Sequence, residues 1–306
     1  MLDKKWSKCY HTFMKCLYIS NPMSGKAKKN NEKIIARLKE KYEKVDFVET
    51  QYRAHLTEII NEKYQDYDAV VVTGGDGTLN EAVNGLAGKA DAPVLGYIPS
   101  GTCNDVARSL KIPKNVDKAL DIILKGNVFE YDLMKVNESY CIYVCGMGIF
   151  TSSSYATNQS AKRKMGRLAY YFNGVKDALC GKTFELQFES DLLNFNGTGS
   201  LLLMMNSRSV AGFMLNKNAS LQDGLIDVCL IHEKKRRKRV SFANKIRIAK
   251  LFLFGYDKLR NNKHIKVVSI DHAKVKCCVT VNQDGECSNC TSFDLQVIQK
   301  GVKIIC

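Results

Sequence analysis

Three glycines and one aspartate directly follow a strongly apolar run in the first third of the chain. Residues 69–81 read AVVVTGGDGTLNE. The stretch lacks the P-loop spacing GxxxxGK[ST], and its glycines do not follow the GxGxxG spacing of dinucleotide-binding turns. Glycines after a strand allow backbone N–H groups to approach a ligand closely. Thr78 and Glu81 match the S/T-x-x-E capping box, which predicts that a helix begins at Thr78 with its N-terminus suited to phosphate.

Asp76 is the unexpected residue in this stretch. A carboxylate among donors for phosphate would repel an anionic ligand unless a cation lies between them. We therefore interpret Asp76 as acting through Mg²⁺, which prefers oxygen ligands and substrate phosphates. The alternative interpretation is a tight strand-to-helix turn without a ligand. The coincidence of glycines, aspartate and a capped helix favours binding.

Two further loops have the same construction. Residues 99–105 read PSGTCND after the apolar run 94–98, and residues 21–25 read NPMSG after the apolar run 16–19. In open α/β sheets, ligands bind outside the carboxyl ends of the strands. Three loops of small residues at one edge therefore predict a nucleotide site. Gly101 and Thr102 are candidates for phosphate contacts, and Asp105 offers a second carboxylate.

The pattern around these loops predicts two kinds of architecture. Between about residues 16 and 132, short apolar runs alternate with helical segments, which indicates βαβ units and a parallel sheet with flanking helices. After about residue 133, strictly alternating strands such as 184–188 and 275–281 indicate an antiparallel β-sandwich or barrel. Helices near 166–179 and 242–254 interrupt this second part. The predicted boundary near Asp132 rests only on the change of pattern.

Composition restricts the possible partners. The chain has 306 residues, a net charge of +15 and an unbroken block of six cations at residues 234–239. The block is typical of a solvated loop, of contact with an anionic membrane or of nucleic-acid binding. There is no run of 18 apolar residues and no signal-peptide pattern, which predicts a cytoplasmic protein. Cys287 and Cys290 form a CxxC, but Cys277 and Cys278 are predicted on opposite faces of a strand, which disfavours a zinc site.

Taken together, the motifs resemble the diacylglycerol kinase catalytic-domain family, which includes soluble bacterial lipid kinases, sphingosine kinases and ceramide kinases. The chain is most similar to the bacterial diacylglycerol kinases. GGDGT alone is shared with NAD kinases and phosphofructokinases, so the resemblance rests on the ordered set. That set comprises NPxSG at 21–25, GGDGTLNE at 74–81, PxGTxND at 99–105, KMGRLAY at 164–170, DGLID at 223–227 and DGE at 284–286.

The resemblance implies ATP and Mg²⁺ as cofactors and two domains. Residues 13–132 would form the ATP-binding domain and 133–294 the β-sandwich with the lipid site, with about 295–306 packing back on the first domain. The ATP-contacting positions that it implies are Asn21, Pro22, Ser24, Gly25, Thr50, Gly74, Gly75, Asp76, Gly77, Thr78, Asn80, Gly101 and Thr102. The carboxylates that it assigns to Mg²⁺ are those of Asp76, Asp105 and Asp132. A second, structural Mg²⁺ is implied at Asp223 with the carbonyls of Ser220 and Leu225.

The resemblance also implies that Glu286 is the catalytic base, with Asp284 beside it and Asp76 completing the catalytic set. A base is chemically reasonable, because the lipid hydroxyl must lose its proton as it attacks phosphorus. The residues themselves first suggest something simpler. An alternating strand followed by Asp284 and Gly285 predicts a plain hairpin. Both interpretations stay open at this point.

The sequence thus predicts an ATP- and Mg²⁺-dependent lipid kinase that converts diacylglycerol to phosphatidic acid. An NAD kinase or another kinase of soluble substrates is the first alternative. A nucleic-acid-binding protein that uses the block 234–239 is the second, although the carboxylates would hinder it. We expect peripheral contact with the anionic inner face of the membrane, no nucleic-acid partner, and a homodimer as the ordinary state of such enzymes.

Overall fold

The computed structural model describes residues 14–23, 30–148 and 181–306, with only the backbone for residues 287–290. Several expectations lie outside this part of the chain. They concern residue 13, Ser24 and Gly25, the motif at 164–170, the helix near 166–179, and the side chains of Cys287 and Cys290.

The N-terminal part alternates strands and helices. The strands pair in parallel in the order β2-β1-β3-β4. The elements in chain order are β1 (Lys15–Ser20), α1 (Asn31–Leu38), β2 (Lys44–Glu49), α2 (His55–Lys63), β3 (Ala69–Gly74), α3 (Asp76–Leu86), β4 (Val94–Pro99), α4 (Asp105–Ser109) and α5 (Val116–Lys125).

Burial explains why these segments form a layered α/β arrangement. All six residues of β3 are buried, as expected for a strand covered on both faces. The helix α1 buries Ile34 and Leu38 against this sheet. The helix α5 is capped at its start by Asn115, whose side chain accepts a hydrogen bond from the Lys118 N–H, and it ends at Gly126 with φ 75°.

The remainder is rich in strands, as predicted. The strands are β5 (Val128–Val136), β6 (Ser139–Cys141), β7 (Val144–Met147), β8 (Phe184–Glu189), β9 (Asn194–Met205), β10 (Ser209–Val210), β11 (Phe213–Met214), β12 (Ile226–His232), β13 (Ile265–Ile270), β14 (His272–Gln283) and β15 (Glu286–Ile305). One described α-helix interrupts them, α6 (Phe242–Phe254), and a short 3-10 helix at Asp257–Leu259 follows it. Apart from a single parallel contact of β15, the pairs among these strands are antiparallel.

One hydrogen-bonded sheet connects both parts. The strand β15 pairs with β14 near its start and with β5 near its end, and Ile304 lies in parallel register with Leu95 of β4. The strands β7 and β8 both lie between β9 and β14, one after the other, and so occupy the same row of the sheet. The boundary predicted at residue 132 falls inside β5.

Two apolar clusters stabilise this arrangement. The larger one includes the helices and parallel strands and continues to α6. The smaller one lies among the antiparallel strands and joins side chains from Met134 in β5 to Ile270 in β13. In β9, Leu202 and Met204 belong to the smaller cluster, while Leu201 and Leu203 face the larger one. Among the helices in the described ranges, none is long and apolar enough to cross a bilayer.

Candidate functional site

The turn between β3 and α3 differs from the capping-box prediction, which was wrong. The helix begins at Asp76 with Gly75 as its N-cap, so Thr78 already lies in the first helical turn and makes no capping bond. The Thr78 hydroxyl instead accepts a hydrogen bond from Asn21 Nδ2 at 3.0 Å. The Glu81 carboxylate accepts one from the Ala54 N–H at 3.1 Å. A helix capped by Thr78 would begin at Leu79, so the observed helix starts three residues earlier, directly at the strand end.

Three glycines in the loops after β3 and β4 differ in how much space surrounds their Cα atoms. A Cβ on Gly74 would lie 2.3 Å from Thr78 Cβ, and one on Gly101 would lie 2.5 Å from Gly75 Cα. Both glycines are therefore required by the close packing of the loops. A Cβ on Gly77 would meet no described atom within 4 Å. Gly77 thus borders open space at the helix N-terminus, where an anionic ligand is electrostatically favoured.

Hydrogen bonds join the loop after β1 to the end of β3. The Asn21 N–H donates to the Thr73 carbonyl at 3.1 Å, and Asn21 Oδ1 accepts from the Met23 N–H, with Pro22 between them in the turn. Thr50, at the end of β2, is buried and donates its N–H to the Ser20 carbonyl at 3.0 Å. The strand ends of β1, β2 and β3 are therefore held at one edge.

The loop after β4 is held at the same edge by hydrogen bonds. The Gly74 carbonyl accepts hydrogen bonds from the N–H groups of Ser100 and Gly101 at 2.8 and 3.3 Å. Thr102 is exposed, and its carbonyl accepts from Lys114 Nζ at 2.7 Å. Tyr97 also lies at this edge and was not among the predicted site residues. Its buried hydroxyl lies 3.2 Å from both the Gly74 carbonyl oxygen and Asn104 Oδ1. The sequence signal that could have indicated this residue was a phenol within an apolar strand.

Asp76 and Asp105 form a pair of interacting carboxylates, of which Asp105 is buried and Asp76 is half-buried. Asp76 Oδ2 accepts from the Asn104 N–H at 2.7 Å, and Asp105 Oδ1 accepts from Ser209 Oγ at 2.6 Å and from the Gly212 N–H at 2.8 Å. The other oxygen of each carboxylate is shielded from solvent and has no hydrogen-bond partner among the described residues. Burial raises the pKa of both carboxyl groups, and their mutual repulsion raises the pKa of Asp76 further. Such oxygens suit a cation.

Asp284 has a different environment. It forms the hairpin turn between β14 and β15 with Gly285, at φ 50° and 94°, which confirms the hairpin interpretation. Its carboxylate accepts hydrogen bonds from the N–H groups of residues 142, 143 and 144 and from Asn80 Nδ2, at 2.5 to 3.0 Å. Burial raises its pKa to about 6, although these donors oppose the shift. Asp284 and Asn80 therefore connect α3 to the antiparallel sheet.

Glu286 stands at the rim of a cleft beside α3. The cleft has a volume of about 260 Å³, and Asn80, Glu81, Gln283 and Glu286 are among the residues that line it. Glu286 Oε2 forms an ion pair with Arg53 Nη2 at 2.7 Å. The Glu286 side chain is about half exposed, so it is accessible from the cleft. Asn80 lies one helical turn beyond Asp76, which places the cleft next to the carboxylate pair.

Asp132 lies with the 220–225 segment. Its Oδ2 accepts from the Gly224 N–H at 2.6 Å, its Oδ1 accepts from the Lys300 N–H at 2.7 Å, and its own N–H donates to the Leu221 carbonyl at 3.0 Å. Asp223 Oδ1 accepts from the Leu225 N–H at 3.1 Å, and Ser220, Asp223 and Leu225 are exposed. In the described ranges, no three His, Cys, Asp or Glu side chains are grouped closely enough to hold a metal by themselves.

Comparison with known proteins identifies the family. The family model described as the diacylglycerol kinase catalytic domain matches residues 15–136. A diacylglycerol kinase of Bacillus subtilis (strain 168) is 34% identical over 278 residues, which cover 88% of each chain. A diacylglycerol kinase of Staphylococcus saprophyticus is 34% identical over 70% of this chain and 72% of its own.

The solved structures agree with this assignment. The crystal structure of a diacylglycerol kinase from Bacillus anthracis strain Sterne superposes with a TM-score of 0.79 and 25% identity, and the match covers 96% of this chain and 97% of the other. Relatives of comparable length at this identity share more than a nucleotide-binding loop. The chain therefore belongs to the diacylglycerol kinase catalytic-domain family and is a diacylglycerol kinase-like phosphotransferase.

Proposed function

We propose that the protein transfers the γ-phosphoryl group of ATP to a lipid hydroxyl, with Mg²⁺, and converts diacylglycerol to phosphatidic acid. The observation that carries this proposal is the pair Asp76 and Asp105. Each has one buried oxygen without a described partner, beside a glycine-lined helix N-terminus. The substrate follows from the names of the relatives, which are diacylglycerol kinases.

The nucleotide would lie at the shared edge of the three loops. The open space at Gly77 and the N-terminus of α3 fit a phosphate group. Asn21, Pro22, Thr50, Thr78, Gly101 and Thr102 surround or support this edge, and Ser24 and Gly25 are assigned to it by their sequence position. Asn80 already uses its amide group on Asp284 and the Tyr140 carbonyl, so we assign it to positioning α3.

The carboxylates of Asp76 and Asp105 would hold Mg²⁺. Because no three acidic side chains converge there, water and phosphate oxygens would complete its coordination. When bound, Mg²⁺ would neutralise charge that develops on the transferring phosphoryl group. The structural Mg²⁺ expected at Asp223, Ser220 and Leu225 remains a proposal, and Asp132 would support that segment through Gly224.

Glu286 would accept the proton of the lipid hydroxyl. Its carboxylate is about half exposed at the cleft, and the ion pair with Arg53 at 2.7 Å holds it there. Asp284 would act by positioning the hairpin that carries Glu286, because its own oxygens are occupied by four donors. Contact with an anionic membrane, a cytoplasmic location and a homodimer remain predictions.

Substitution of Gly77 tests the nucleotide position. We expect Gly77→Ala to raise the KM for ATP about tenfold or more, because the added methyl group enters the proposed phosphate space. Its free energy of unfolding should be unchanged or higher by up to about 1 kcal/mol, since alanine favours a helix. In Gly74→Ala, the matched variant, a Cβ would meet Thr78 at 2.3 Å, so stability should fall. An unchanged KM in Gly77→Ala would place the phosphates elsewhere.

A panel of acceptors tests the reaction itself. Labelled ATP with Mg²⁺ is supplied with diacylglycerol, phosphatidylglycerol, a sphingoid base or undecaprenol in anionic vesicles, and with NAD in solution. We expect labelled phosphatidic acid, and about 100-fold lower kcat in Glu286→Gln. Glu40→Gln is the control, because Glu40 is an exposed glutamate that also pairs with an arginine, Arg37, at 3.0 Å. Labelling of NAD alone would favour an NAD kinase, and DNA binding without ATP turnover would favour the nucleic-acid alternative.

A further inference from the structure

The helix α6 exposes an apolar ridge. Phe242, Ile246, Leu253 and Phe254 are all exposed, and the exposed fraction is 77% for the residue Phe242 and 70% for Leu253. The opposite side of the helix buries Ile248, Leu251 and Phe252 in the larger core cluster. An ordinary surface helix has a polar outer face, and contiguous exposed apolar groups of this size mark an interaction site.

The surroundings of this ridge are strongly cationic. Residues 234–254 contain nine Lys or Arg side chains and no Asp or Glu. All six cations of the block 234–239 are exposed, and only Arg236 has a described ion pair, to Glu185 at 3.1 Å. The block therefore directly precedes the helix that carries the ridge, and further cations at residues 245, 247 and 250 alternate with the apolar side chains of that helix.

The block is held close to the start of α6 by buried polar contacts. The Glu233 carboxylate accepts hydrogen bonds from Ser200 Oγ and from the Ser241 N–H, each at 2.8 Å. Ser241 is the N-cap of α6 and accepts from the Asn244 N–H at 3.3 Å. Asn244 also donates to Ser200 Oγ at 2.9 Å. These hydrogen bonds anchor both ends of the basic segment on the sheet, and they fix its position relative to the start of α6.

Only one of the plausible occupants uses both features. Nucleic acid would pair with the cations but would leave Phe242 and Leu253 in water. An anionic bilayer surface accepts apolar side chains at the headgroup level and attracts the cations around them. We propose that residues 234–239 and the exposed side chains of Phe242, Ile246, Leu253 and Phe254 form a docking face for an anionic lipid bilayer. This inference rests on the proposed function, since it supplies the membrane that holds the lipid substrate.

The hairpin of β10 and β11 connects α6, which carries the docking face, to the candidate site. The Phe213 ring contacts the Phe252 ring of α6 with centroids 5.2 Å apart. Phe213 belongs to the hairpin of β10 and β11, and Ser209 and Gly212 of this hairpin donate hydrogen bonds to Asp105. The helix α6 therefore lies between a bilayer bound at its exposed side and the hairpin that orients a proposed Mg²⁺ carboxylate.

Sedimentation of the full chain with vesicles tests the docking face. The vesicles contain phosphatidylcholine alone or with phosphatidylglycerol. We expect Leu253→Ser to lower partitioning onto the anionic vesicles about tenfold. Leu192→Ser is the matched control, because Leu192 is 67% exposed outside this surface. Replacing all six cations of the block with glutamine should abolish the preference for anionic vesicles, and turnover of a water-soluble short-chain diacylglycerol should persist in each variant.

Three outcomes would overturn the docking face. They are equal partitioning of the Leu253→Ser and Leu192→Ser variants, a dimer in solution that Leu253→Ser dissociates, and tighter retention on DNA than on anionic vesicles. Failure of the proposed function looks different. In that case vesicle binding responds to the variants as expected, while no acceptor lipid is phosphorylated in vesicles or in solution.

Discussion

Asp76→Asn is expected to lower the rate of lipid phosphorylation at least about 100-fold without unfolding the protein. Asparagine keeps an oxygen that can accept the Asn104 N–H, now 2.7 Å from the carboxylate. It removes the negative charge that would hold Mg²⁺ beside the phosphate groups. Because burial raises the pKa of Asp76, the ionised carboxylate is unfavourable in the folded protein without metal. Its replacement should therefore not lower the free energy of unfolding.

Two measurements check this expectation. The first is steady-state turnover with diacylglycerol vesicles, and the second is the rise in melting temperature when ATP and Mg²⁺ are added. We expect both to be lost in Asp76→Asn and retained in Asp191→Asn, since the Asp191 side chain is 82% exposed and lies in the turn between β8 and β9. Full activity in Asp76→Asn would remove this residue from the site. A large loss of stability would make its role structural.

Asp284→Asn is expected to lower the free energy of unfolding by about 3 kcal/mol, the largest stability effect that we anticipate. The carboxylate accepts four hydrogen bonds from buried donors, three of which belong to consecutive N–H groups at residues 142–144. An asparagine presents one oxygen and a donating NH₂ group. At least one buried N–H would then face another donor, and the connection of α3 to the hairpin through Asn80 would weaken.

Glu286→Gln provides the comparison, since it removes the same charge two residues away. Glu286 is about half exposed and its described ion pair, with Arg53, is also exposed, so its loss should change stability by less than about 1 kcal/mol. Chemical unfolding of both variants measures the difference. If Asp284→Asn were as stable as Glu286→Gln, the hydrogen bonds at residues 142–144 would not hold the hairpin. If the Glu286→Gln variant kept full turnover, Glu286 would not be the base.

Local patterns made several elements predictable. The apolar runs at 69–72 and 94–98 appear within β3 and β4, because an uninterrupted β-branched and aliphatic run is stable only where both faces are covered. The turn at Asp284 and Gly285 followed from a two-residue preference. Cys277 is buried and Cys278 exposed, as alternation along a strand requires.

The start of α3 was mispredicted for a physical reason. The capping box is a local motif, and it competes with other arrangements of the same side chains. In the fold, Thr78 contacts Asn21, which follows a strand end 57 residues earlier, and Glu81 contacts Ala54, the N-cap of α2. These partners are distant in sequence, so no window around Thr78 could have revealed them.

Sequence by itself determined the family, the glycine loops and the identity of the carboxylates, because these depend on residue types in a fixed order. The tertiary structure decided what each carboxylate does. It brings Asp105 to Ser209 and Gly212, Asp132 to Gly224 and Lys300, and Asp284 to the N–H groups at 142–144. A carboxylate can hold a cation only with an oxygen left over by its neighbours. Whether such an oxygen is left over depends on hydrogen bonds to residues about one hundred or more positions away. The sequence around each aspartate does not reveal these partners.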